Sequence, residues 1–208
     1  MTSSQLSLSE EGAPRSPSSD AAIPDSPPQD ASAKDLPDDP NKRLGVAIGK
    51  IAKRMKPKGM MSTGDRAELR RVSPKQPYTP ALWKLLFDYE LDKDWLGIGQ
   101  DAYERHMSTL LMGMAHCAGL HNYHVSLGHA MAEAGWSELR FVRLMEARGE
   151  TLEVLIRRLA QYLSSKGQLA NWVDVAWLLL SQDRDSAEKT RLGIARSYYG
   201  TLHQKEKG

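Results

Sequence analysis

The sequence predicts an all-α protein, a compact helical bundle of about eight or nine helices preceded by a disordered N-terminal extension. Three observations lead there. From Leu44 onward, apolar residues recur at spacings of three and four along almost the whole chain. Helix-starting and helix-stopping residues punctuate that pattern at regular intervals. No run alternates apolar and polar residues with period two, and no internal repeat is visible.

The extension comes first in the chain. Residues 1–40 hold seven of the eleven prolines, many Ser and Asp, and no aromatic residue. Such a segment cannot bury enough apolar surface to offset its ordering entropy, so a folded domain is expected over 41–208. Leu44, Ile48, Ile51 and Met55 then form one stripe, ended by Pro57 and Gly59. A short helix follows over 64–72, with Thr63 or Asp65 as its expected cap. Thr79-Pro80 opens a third helix through about Tyr89, with Pro at its first position. A longer one is expected from about Asp101 to Ala118, stopping at Gly119. Ser126 caps a helix ended by Gly135, and Ser137 begins another to about Ala147. Leu152, Leu155, Ile156, Leu159 and Leu163 make the next stripe, with Arg157 and Arg158 opposite. Asn171 caps a helix carrying Val173, Trp177 and Leu180, and the last runs from about Ser186 to Tyr199. The five tryptophans stand at helical spacing and are read as core.

The formal net charge of +2 conceals an asymmetry. The segments 1–40, 41–75 and 76–208 carry net charges of −6, +9 and −1. The single cysteine, Cys117, excludes an intrachain disulfide and fits a reducing, cytoplasmic compartment. No apolar run approaches the ~20 residues of a membrane span, and the N-terminus has no secretory pattern.

Catalytic chemistry finds little support. His106, His116, Cys117, His121 and His124 crowd one region, but without the local CxxC or HExxH pairs that mark zinc sites. No nucleophile elbow, glycine-rich phosphate loop or carboxylate pair appears, and Cys117 sits among Met114, Ala115 and Ala118 as a packed thiol would. The reading is therefore not an enzyme, with no metal and no cofactor. The basic amphipathic stretch 42–58 lacks Trp and Phe on its stripe, which favours burial in the core over a membrane surface.

Binding to nucleic-acid backbones fits better. Arg66, Arg70 and Arg71 form a cationic arc around small Ala67, for which Glu68 is a poor partner. Arg140 and Arg143 project together around small Ala147, opposite Phe141 and Met145, and Arg148 follows at the helix end. Guanidinium groups on rigid helices with a small residue between them admit a phosphate closely and bind it bidentately. Lys53 and Arg54 extend the set by charge geometry. A free-standing helical DNA- or RNA-binding regulator would share these features.

Several stretches, in order along the chain, carry a resemblance. GDRAELRRV (64–72), followed by a Pro-bearing loop and ALWKLL (81–86), is similar to the N-terminal signature of the small subunit of the type I-E CRISPR Cascade complex, the CasB family. The block at 126–163 and NWVDVAWLLL at 171–180 resemble the segments that follow, in the same order. The resemblance implies a non-catalytic helical subunit, present usually in two copies beside the backbone subunits and the large subunit. It implies that the subunit holds the guide RNA–target DNA hybrid and stabilises the displaced strand of the R-loop in antiviral defence. Arg70, Arg71, Arg140 and Arg143 fall on matching positions. His129 stands where the pattern has Lys or Arg, implying a weaker or pH-sensitive contact there.

Overall fold

The computed structural model describes residues 36–181 and 184–208. The expected disorder of the extension falls on residues 1–35, outside the described residues, as far as Asp35. Its last residues belong to the fold: Leu36 packs on the core, and Asp39 caps the first helix by accepting from the amides of Asn41 and Lys42. Pro40 supplies the first helical position, where its missing N–H costs nothing. Structured backbone thus precedes the expected start at Asn41.

Nine helices are present among the described residues, with no strand and two isolated bridges, Ser73 with Gln76 and His121 with Ala170. They are α1 (Pro40–Met55), α2 (Thr63–Arg71), α3 (Pro80–Asp88), α4 (Gln100–His116), α5 (Leu127–Ala134), α6 (Glu138–Glu146), α7 (Gly149–Lys166), α8 (Trp172–Leu180) and α9 (Arg184–Lys207). None is long and apolar enough to cross a membrane.

The core is built around α4, which is buried along nearly its whole length from Met107 to Ala115. A helix apolar on all sides must be surrounded, and α2, α7 and α8 pack on it, with α1 alongside. Its close contact with α8 depends on Gly113, where a Cβ would stand 2.5 Å from the Trp172 ring. The α1 stripe (Leu44, Ile48, Ile51, Met55) and the α7 residues Ile156, Leu159 and Leu163 are fully buried, as their spacing requires. The Cys117 thiol is packed and donates to the Ala160 carbonyl at 3.2 Å, and burial pushes its pKa up to about 12.

Several local expectations are revised. Ser62, rather than Thr63 or Asp65, caps α2, accepting from the Asp65 amide at 2.9 Å. Helix α4 ends at His116, with Cys117 as its C-cap, and Gly119 takes a φ of +88° beyond it. Helix α9 continues well past Tyr199, because α5 holds its tail: Lys205 reaches the Ala132 carbonyl and Glu133. Ala147 is no surface floor for a phosphate, since it caps α6 with extended backbone and is buried. Trp136 and Trp172 are core, but Trp83, Trp95 and Trp177 are only partly buried, and Trp83 stacks between the exposed rings of Tyr78 and Phe87.

Candidate nucleic-acid interface

Helix α2 is short, and tertiary contacts hold it in place. Leu69 and Val72 anchor it in the core. Its C-terminal carbonyls have no helical partners, and Arg157 of α7 donates to one of them, Arg70 O, at 3.2 Å. Arg70 in turn donates through Nε to the Ala115 carbonyl near the end of α4, at 2.8 Å. Two arginines thereby close the orphaned ends of two helices. Half-buried His116 lies beside them; burial, then the positive charges of Arg157 and Arg70, lowers its pKa. Arg70 stays exposed, with no carboxylate partner among the described residues. Arg71, next to it, is exposed and makes no hydrogen bond or ion pair with any described residue.

The second group starts where α5 turns into α6. Arg140 lies over the Trp136 ring, 5.4 Å from its centroid. Trp136 meets Tyr162 of α7 edge-on at 5.0 Å, and Lys166 lies over the Tyr162 ring at 5.8 Å. The Tyr162 hydroxyl donates to the Ala134 carbonyl at 2.7 Å, fixing the order of the layers. Two cations thus flank a pair of aromatic rings, an arrangement that orients a guanidinium without neutralising it. Arg143, one turn beyond Arg140, is exposed and unpaired among the described residues.

Helix α7 relates the two groups. Arg157 touches the end of α2, while Tyr162 touches the turn before α6. Five residues separate them, about 7.5 Å of rise and roughly 140° of rotation. Between these shoulders runs the exposed crest of α7, carrying Arg158, Gln161 and Ser165. Arg70 therefore flanks one side of a solvent-facing ridge and Arg140 the other, with Arg158 on top; Arg71 follows Arg70 at the exposed end of α2.

The remaining candidates lie elsewhere, and all but Lys53 are engaged with other residues. Arg54 pairs with Asp88 at 2.6 Å. Arg66 donates to the Met55 and Lys56 carbonyls at 3.0 Å, closing the C-terminus of α1. Arg148 donates to the carbonyls of Met145, Glu146 and Ala147 and does the same for α6, helped by Arg191. His129 is partly buried and hydrogen-bonds Thr201 of α9 at 2.9 Å. Lys53 is exposed on α1, away from α7, and lines a separate groove.

Sequence reasoning placed Arg157 and Arg158 opposite the α7 stripe without assigning them to the site. The signal was the arginine pair itself, on the solvent side of a buried helix. Among the described residues no three His, Cys, Asp or Glu side chains converge as metal ligands would. His106 faces Glu153 at 3.6 Å, and His121 accepts from the Trp172 amide, so the histidines near Cys117 point to different neighbours.

The family model for CRISPR-associated protein Cse2 matches residues 65–199, more than half of the chain. In structure the chain resembles CasB from Thermobifida fusca, with a TM-score of 0.60 and 16% identity, covering 76% of this chain and 98% of that one. It also resembles a chain of E. coli Cascade bound to a PAM-containing double-stranded DNA target, with a TM-score of 0.57 and 18% identity, covering 74% and 95%. At such identities the likeness establishes the shared fold. No curated protein matches by sequence.

Proposed function

The chain belongs to the CRISPR-associated protein Cse2 family, and from that premise we propose that it is a non-catalytic subunit of a Cascade-type, RNA-guided DNA surveillance complex. In that complex it holds the guide RNA–target DNA hybrid and the displaced strand through their phosphates, without reading sequence. Its partners are the backbone and large subunits, and a second copy of itself.

One observation carries this reading. Arg70, Arg140 and Arg158 are exposed beside or upon the crest of α7, Arg71 and Arg143 are exposed on the same helices α2 and α6, and no described carboxylate pairs with any of the five. Surface arginines in such numbers without counter-charges suit a polyanion of arbitrary sequence. Exchange of a DNA duplex for an RNA–DNA hybrid is nearly balanced in free energy, so a few phosphate contacts decide whether the opened state persists. Arg54, Arg66, Arg148 and His129 serve the fold instead.

The test is reconstitution with the other complex subunits and guide RNA. The chain is expected to co-purify with them and to lengthen the lifetime of the R-loop on targets of unrelated sequence. Failure to co-purify, combined with a sequence preference of the isolated chain for DNA or RNA, overturns the proposal in favour of a free-standing regulator.

A further inference from the structure

A second cationic feature lies apart from the α7 ridge. Helix α1 and the 119–123 loop enclose an open groove of about 410 Å³. Lys50 and Lys53, one turn apart on α1, and Lys56, the residue just past its end, line the groove, and no Asp or Glu does. Opposite them stand His121, Asn122 and Tyr123.

The groove is a built feature. Gly49 lets the loop descend onto the helix, since a Cβ there would stand 2.0 Å from the Tyr123 hydroxyl. That hydroxyl donates to the Gly45 carbonyl at 2.8 Å, and the Tyr123 ring meets His121 edge-on at 4.5 Å. Gly119 adopts φ +88°, a conformation that side chains disfavour, to start the loop.

Two buried polar atoms in this groove lack hydrogen-bond partners among the described residues, and one of them is a cationic donor. The Lys50 ammonium nitrogen is buried and has no hydrogen-bond partner among the described residues. His121 meets the Trp172 amide through Nδ1 at 3.2 Å, its ring also hydrogen-bonds the Ala170 carbonyl, and its Nε2 is buried without a partner among the described residues. An ammonium withdrawn from water without a counter-charge is strongly disfavoured. Two further ammonium groups beside it deepen the deficit, and an anion with several acceptor oxygens removes it.

We propose that the groove formed by Lys50, Lys53, Lys56 and His121 is a binding site for a phosphate group. A tetrahedral oxyanion offers enough acceptors to meet the three lysines together, and a protonated phosphate oxygen or a protonated ring can join it to His121 Nε2; the groove has room for an attached sugar. The phosphate comes either from a polynucleotide strand or from a free phosphate or nucleotide. The site shares no residue with the α7 ridge and stands whether or not the ridge binds nucleic acid.

The test uses the full chain. Sodium phosphate is titrated calorimetrically at constant ionic strength, with chloride as the balancing anion. A saturable one-site isotherm is expected, weakened at least tenfold by Lys50→Met and unaffected by Arg71→Ala. Should Lys50→Met fold poorly, Lys53→Gln with Lys56→Gln, at exposed positions, is expected to weaken binding several-fold. Displacement of phosphate by oligothymidylate, but not by its uncharged methylphosphonate analogue, assigns the site to strand phosphates. Displacement by neither assigns it to a free phosphate or nucleotide. An isotherm without saturation, or one insensitive to the lysine substitutions, overturns the proposal.

Discussion

Arg157 of α7 donates to the backbone carbonyl of Arg70 at 3.2 Å, joining two helices 87 residues apart in sequence at the point where the exposed arginines begin. Burial lowers the pKa of Arg157, so its guanidinium contributes a hydrogen bond at some cost in desolvation. Arg157→Met, which keeps the aliphatic stem, is expected to lower stability by about 1 kcal/mol. Amide exchange at 69–73 should quicken while α4 stays protected. Unaltered exchange there would show that α2 is held by Leu69 and Val72 alone.

The exposed arginines and the engaged ones should separate cleanly by experiment. Arg71→Ala with Arg143→Ala is expected to leave urea stability within about 0.5 kcal/mol. The same pair should lower the salt dependence of DNA binding by about one unit of slope per lost phosphate contact. Arg66→Ala is expected to do the reverse: it strips two carbonyls at the end of α1 of their donor, costing about 1 kcal/mol and leaving the slope unchanged. Denaturation and filter-binding titrations across a salt series check both halves.

That contrast marks how far the sequence could be read. The stripes Leu44–Met55 and Leu152–Leu163 were legible because burial on one face imposes a 3.6-residue period. The caps Thr79 and Asn171 were legible because few residue types occupy such positions, and Ser126 and Ser137 stand at the N-cap of α5 and α6 without a side-chain capping bond. A helical wheel shows which face a side chain occupies, but not which helix end lies across a loop from it. Arg66, Arg70 and Arg71 therefore looked alike, although Arg66 reaches back ten and eleven residues and Arg70 forward forty-five. Arg157 was hidden for the same reason. The tail of α9 was missed because its support, Lys205 on Glu133 and Ala132, is tertiary.

Acid should weaken the fold through two histidines. Burial lowers the pKa of His121 and, with Arg157 and Arg70, that of His116. Each folded pKa lies below the ordinary value of 6.5, so on acidification the unfolded chain binds protons first. Their contribution is fully present above about pH 6.5 and declines as pH falls from there through the folded values. Urea midpoints are expected to drop between pH 7.5 and 5.5, and the drop should shrink in His116→Gln and His121→Gln. An equal drop in wild type and both variants would assign it to other groups.

Two glycine-to-alanine changes should have opposite signs, although both sit inside helices. At Gly128 a Cβ would lie 2.1 Å from the Ile194 carbonyl oxygen and 2.7 Å from the Tyr198 amide, both backbone atoms of α9. Neither can rotate aside, so α5 and α9 must separate, loosening the His129–Thr201 bond that spans them. Overpacking of this kind costs about 1–3 kcal/mol. At Gly45 nothing lies within 4 Å of the added carbon. Alanine there reduces the freedom of the unfolded chain and favours the helix, a gain of about 0.5–1 kcal/mol. The urea midpoint should therefore fall for Gly128→Ala and rise for Gly45→Ala, with the denaturant slope unchanged in both. A neutral Gly128→Ala would mean that α5 and α9 do not touch backbone to backbone.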